Sequence, residues 1–60
     1  MNNLKKYRKM FKLTQRDLAL SLNVTRQTVN AIETGRHNPK LPLALKIAKT
    51  FNCKIEDLFE

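Results

Sequence analysis

Sixty residues, 42% of them apolar, supply one small core and no second one; a domain of this size buries only about 60% of its unfolded surface and lacks the volume for the deep cleft most enzymes need. Twelve Lys and Arg against five Asp and Glu leave a formal charge of +7, unevenly spread: residues 1–54 hold all twelve cations and two acids, a balance of +10, and residues 55–60 hold three acids and no cation. A positive body with an acidic tip points to a polyanionic partner, and without a run of roughly 18 to 20 apolar residues no membrane span is expected.

In chain order, Leu4, Tyr7 and Phe11 recur at spacings of three and four, which predicts a helix over Asn3–Phe11 with Lys5, Lys6, Arg8 and Lys9 on its other faces. Thr14 stands three residues before Asp17, a capping arrangement that predicts a second helix over Gln15–Leu22 with Leu18, Ala19 and Leu22 inward. Asn23 then suits a left-handed helix end. Thr25 is placed to cap a third helix over Arg26–Thr34, with Gly35 just past its end. Pro42 fits the first turn of a fourth helix over Pro42–Phe51, whose inner face is Ala44, Ile47, Ala48 and Phe51. Ile55–Phe59 predicts one or two further turns burying Ile55, Leu58 and Phe59. Period-two alternation is confined to very short windows, so no strand is expected. The chain reads as one all-α domain over residues 1–60, a compact bundle of four to five short helices.

The third helix carries the functional question. At 100° per residue, Val29, Ile32, Glu33 and Thr25 share one sector, while Gln27, Asn30, Ala31 and Thr34 lie opposite and Arg26 projects from the first turn. A short helix gains most of its stability from packing, so Val29 and Ile32 must face Leu18, Ala19 and Leu22. The outward set then matches base edges: Gln pairs bidentately with adenine, Arg with guanine, and a Thr or Ala methyl meets the thymine methyl. The same side chains would serve equally as a solvated polar face.

From Arg8 to Phe59 the sequence resembles the lambda repressor and Cro type of helix-turn-helix domain, the XRE family. The likeness is strongest in LTQRDLALSLNVTRQTVNAIETGR, where Gln15, Leu18, Ala19, Val24, Val29, Ile32, Glu33 and Gly35 stand at the family's spacings, and it continues through NPKLPLALKIAKTF and IEDLF. The helix-turn-helix would span approximately residues 15–34. Asn23 and Lys12 stand where the family commonly has Gly. The resemblance implies that Gln15 contacts the DNA backbone, that Arg26, Gln27, Asn30 and Ala31 face bases, and that Arg8 pairs with Glu33, which the wheel places on the packed side where a lone carboxylate is costly.

Thr25 and Thr28 flank the outward face as candidate backbone contacts, with bases or water alone as the alternative partners of Thr28. The polar loop Arg36–Lys40 places Arg36, first among its members, and Asn38 within reach of phosphate. His37 has no companion ligands and Cys53 no positioned base, so no metal site, cofactor or catalytic residue is expected. One Cys permits no internal disulfide, and no signal peptide is legible, so the expected location is cytoplasmic.

The expected function is sequence-specific binding of double-stranded operator DNA by a transcriptional regulator, a repressor acting as a homodimer on a palindrome, with no small-molecule substrate. The dimer surface would draw on the last helix and on exposed parts of Leu41, Leu58 or Phe59, with closure of the core as the alternative role of these residues. A competing reading keeps the fold but makes the chain an antitoxin-like partner of a toxin that binds DNA secondarily.

Overall fold

A computed structural model describes residues 2–60, which form five helices: α1 Leu4–Met10, α2 Gln15–Leu22, α3 Arg26–Glu33, α4 Leu41–Phe51 and α5 Ile55–Phe59. The all-α expectation holds, with helix bounds shifted by a residue at four ends, one of them the start of α1, where Asn3 precedes the helix. α1 and α3 stop one residue short because Phe11 and Thr34 serve as end residues. α4 begins one residue early, and Lys40 takes the extended backbone before it.

Four helices end in the same way. The N–H of Lys12, Asn23, Gly35 and Asn52 returns to Lys9, Leu20, Ile32 and Lys49, and the next N–H, of Leu13, Val24, Arg36 and Cys53, returns to Arg8, Ala19, Ala31 and Ala48. This paired closure needs a left-handed residue at the turn, and the four positions have φ of 57°, 59°, 80° and 51°. Three are not glycine. Asn tolerates the region, whereas a Lys side chain there carries a cost of about 1–2 kcal/mol, offset at Lys12 by the two carbonyls that the turn satisfies. In three of the turns the following residue, Leu13, Val24 or Cys53, tucks half-buried against the core.

The core unites every helix: Leu4 of α1, Leu18, Ala19 and Leu22 of α2, Val29 and Ile32 of α3, Ile47, Ala48 and Phe51 of α4, and Leu58 of α5. Burying a Leu or Ile side chain contributes about 1.5–3 kcal/mol, so this set is the main stabiliser of a chain without a disulfide. Ala19 is small enough to let α2 and α3 approach closely, and Lys46 Nζ donates to the Leu22 carbonyl at 3.0 Å, capping the C-terminus of α2 from α4. The chain start is held too. Asn3 N–H donates to the Leu58 carbonyl at 2.8 Å, Asn3 Nδ2 to the Asp57 carbonyl at 2.9 Å, and Asn2 Nδ2 to the Ile32 carbonyl at 2.8 Å.

Some expectations about burial need correction. Phe11 remains 48% exposed, since it lies past the end of α1 and meets the core edge-on against Phe51 at 5.0 Å. Thr25 is exposed, because the residue before a helix has left the helical path. Ile55 and Phe59 are only half-buried, since five residues give α5 barely more than one inward position, and Leu58 takes it. With Leu58 at 0% exposure it offers nothing to a dimer surface.

Candidate nucleic-acid interface

Both α2 and α3 begin at a threonine. Thr14 Oγ1 accepts from Asp17 N–H at 3.0 Å while Asp17 Oδ2 accepts from Thr14 N–H at 2.9 Å, a reciprocal cap. Thr25 Oγ1 accepts from Thr28 N–H at 3.1 Å, and the two hydroxyls are joined at 2.9 Å. Only Asn23, Val24 and Thr25 separate the two helices, and they pack more extensively on each other than any other pair. Val29 and Ile32 sit at 0% exposure against α2. That fixes the rotation of α3: Arg26 and Gln27 are exposed, and Thr28, Asn30 and Ala31 are half-buried along its flanks.

Behind this face lies a charged knot. Arg8 Nε donates to Glu33 Oε2 at 2.6 Å and Arg8 Nη2 to Glu33 Oε1 at 3.3 Å, with side chains 10% and 3% exposed. Arg8 Nη1 donates to the Leu13 carbonyl at 2.8 Å. The pairing that the resemblance implied is therefore present and buried, and it ties α1, the α1–α2 connection and α3 together. Its second consequence was not legible in the sequence: Gln15 Nε2 donates to Glu33 Oε1 at 3.1 Å. A carboxylate can only accept, so Gln15 must turn its NH₂ toward Glu33. Gln15, the first residue of α2, is thus held against the last turn of α3, at a helix start where free N–H groups favour an anion.

The C-terminal side of α3 carries a second network. Gly35 turns the chain back, and Arg36 N–H and His37 N–H both reach the Ala31 carbonyl, at 2.9 and 3.2 Å. Arg36 then folds over α3: its Nε donates to Thr34 Oγ1 at 3.1 Å and its Nη2 to Asn30 Oδ1 at 3.0 Å. Asn30 and Arg36, expected to meet base and phosphate separately, are therefore brought together. The signal was present in the glycine that reverses the chain between them. Asn38 lies elsewhere, on the rim of an open apolar groove of about 310 Å³ lined also by Pro39, Leu41, Ala44, Ile55 and Phe59.

Among the described residues the one ion pair is Arg8–Glu33, so Arg16 and Arg26 have no carboxylate partner. Asp17 is committed to its cap, and the hydrogen bonds from Thr14, aided by nearby Arg16, hold its carboxyl below the ordinary Asp value. A depressed carboxyl stabilises the fold above its unfolded pKa and stops doing so as pH falls through the folded one. Acid should therefore loosen the start of α2, and the Asp17 carboxyl carbon should titrate in NMR with a midpoint below the ordinary Asp value. A midpoint at or above that value would contradict the reciprocal cap. Burial, followed by the nearby Asp57, pushes the Cys53 thiol up, which favours its protonated form. No helix among the described residues is long and apolar enough to cross a membrane.

The comparisons with known proteins agree with this geometry. A family model described as helix-turn-helix matches residues 4–58. An uncharacterised HTH-type transcriptional regulator of Methanocaldococcus jannaschii is 59% identical over 58 residues, covering 97% of this chain and 88% of that protein. The uncharacterised HTH-type transcriptional regulator YgzD of Bacillus subtilis is 50% identical over 58 residues, with the same two coverages of 97% and 88%. Among solved structures, the restriction-modification controller protein C.AhdI of Aeromonas hydrophila superposes with a TM-score of 0.82 at 30% identity, over 93% of this chain and 85% of that one. With a capped α2–α3 pair at its centre and a family match over nearly its whole length, the chain belongs to the helix-turn-helix DNA-binding transcriptional regulators of the lambda repressor and Cro, or XRE, type.

Proposed function

We propose that this domain represses transcription by occupying a palindromic operator as a homodimer, with α3 of each copy in the major groove and half-sites about 34–36 Å apart. The observation that carries this reading is the rotation of α3. Val29 and Ile32 are fully buried, so Arg26 and Gln27 are free for base edges, with Asn30 and Ala31 beside them. Gln15 and the capped start of α3 at Thr25 and Thr28 meet phosphate on either side. No bond is made or broken; occupancy alone excludes polymerase. Likeness to a controller protein of a restriction-modification system supports a regulatory role.

The partner at the groove of Asn38, Pro39, Leu41, Ala44, Ile55 and Phe59 is a second copy of this chain. A chain of net charge +7 repels its own copy over most of its surface. The groove is lined without a charged side chain and lets two copies meet at low electrostatic cost, with 63%-exposed Leu41 at its edge.

Selection from random duplex DNA, followed by measurement of protein-to-DNA stoichiometry on the preferred site, tests this reading. Two copies on a palindrome are expected. On that site, Gln27→Ala should lose about 1–3 kcal/mol of discrimination at one base pair per half-site and leave the fold intact. Equal weakening on the selected and a scrambled duplex would count against base reading by α3.

A further inference from the structure

The link between Arg36 and Asn30 has a consequence for which base is read. An Asn side chain free at both ends reads adenine, accepting from N6 through Oδ1 and donating to N7 through Nδ2. Here the atom facing the guanidinium must be Oδ1, because Arg has no acceptor to offer an NH₂ group. Asn30 Oδ1 accepts from Arg36 Nη2 at 3.0 Å, which takes one of its two lone pairs and sets the guanidinium charge beside the other, while both Nδ2 hydrogens stay free.

The guanidinium is itself fixed from two directions. Its Nε donates to Thr34 Oγ1 at 3.1 Å, and the Thr34 hydroxyl has its own proton committed to the Asn30 and Ala31 carbonyls at 3.0 and 3.2 Å, so its lone pair is the natural acceptor for Arg36. The backbone beneath is anchored as well, by the Arg36 N–H on the Ala31 carbonyl at 2.9 Å. Asn30 itself is half-buried on the flank of α3.

Resting on the reading that α3 enters the major groove, we infer that Arg36 is a positioning residue that converts Asn30 from an adenine reader into a guanine reader. The pair presents donors and positive charge, with the one remaining Oδ1 lone pair beside the guanidinium. Guanine shows two acceptors, N7 and O6, on its major-groove edge, whereas adenine brings an amino donor that would face the guanidinium.

The test starts from the duplex selected by the unmodified chain. Asn30→Ala identifies the base pair it faces as the one whose discrimination collapses. At that pair the unmodified chain should prefer guanine to adenine, and replacing the guanine by 7-deazaguanine, which lacks N7, should weaken binding. Arg36→Met, exposed and therefore tolerated by the fold as circular dichroism would verify, should move the guanine-to-adenine preference ratio by about tenfold or more toward adenine. Preferences at other base pairs should stay in place. Three results would overturn the inference. The first is a preference of the unmodified chain for adenine at the Asn30 pair. The second is equal weakening of every duplex by Arg36→Met, with the log–log salt slope falling by about 0.9, the mark of a phosphate contact. The third is unchanged discrimination at every pair in Asn30→Ala. An unmodified chain without any sequence preference would instead overturn the groove reading itself, and this inference with it.

Discussion

Glu33→Gln is expected to lower the melting temperature by more than about 10 °C, the largest effect of any single conservative change in this chain. Arg8 would keep its charge in a site where its residue is only 8% exposed, with a neutral amide as sole side-chain partner. Removing one member of a buried pair costs about 3–5 kcal/mol. Total stability at about 0.05–0.15 kcal/mol per residue is roughly 3–9 kcal/mol for sixty residues, and each kcal/mol moves the midpoint of so small a domain by about 4–8 °C. The joint change Arg8→Met with Glu33→Leu should recover most of that loss, because two apolar groups of similar volume strand no charge. It should still bind DNA less well, since Gln15 loses the carboxylate that orients it. Thermal and urea unfolding of the three proteins check the first part, and a shift of only a degree or two for Glu33→Gln would remove the ion pair from its central place. Titration of the refolded double variant with operator duplex checks the second.

The other large effect is ionic. With +10 over residues 1–54 and no carboxylate partner for Arg16 or Arg26, affinity for duplex DNA should fall steeply with salt. The log–log slope is about −0.9 per phosphate neutralised, and a two-fold complex that neutralises roughly six to ten phosphates loses about a thousandfold or more between 50 and 200 mM salt. Fluorescence anisotropy across that range provides the slope. A flat titration would leave the bare cationic face without a role in binding.

Much of the fold was legible in the sequence because each signal there is local. Thr14 with Asp17, Thr25 before a polar helix, Gly35 after it and Pro42 in a first turn mark helix ends through backbone hydrogen bonding within three or four residues. The inward stripe of α3 followed from periodicity, and its two apolar members, Val29 and Ile32, are fully buried. What escaped depends on approach between distant segments. Gln15 and Glu33 are eighteen residues apart and meet only because α2 crosses the end of α3. Lys12 adopts left-handed backbone that its residue type does not announce, and at Asn52 the type only tolerates it, while the periodicity of α1 counted Phe11 inward although the helix ends before it. The groove at Leu41 and Phe59 was visible only as apolar residues left over from the core pattern. The Arg36 network was half-legible: the turn at Gly35 was read, but the return of the side chain onto Asn30 was not.

The clasp between Asn3 and the last helix bears on how the domain comes apart. Because the amide of Asn3 hangs on the Leu58 carbonyl and Asn2 hangs on the Ile32 carbonyl, fraying of the first turn and of the last are a single opening that also loosens the tail of α3. Hydrogen exchange at these separate stretches should then share one free energy, and an added load on either terminus would be felt at the helix that faces DNA.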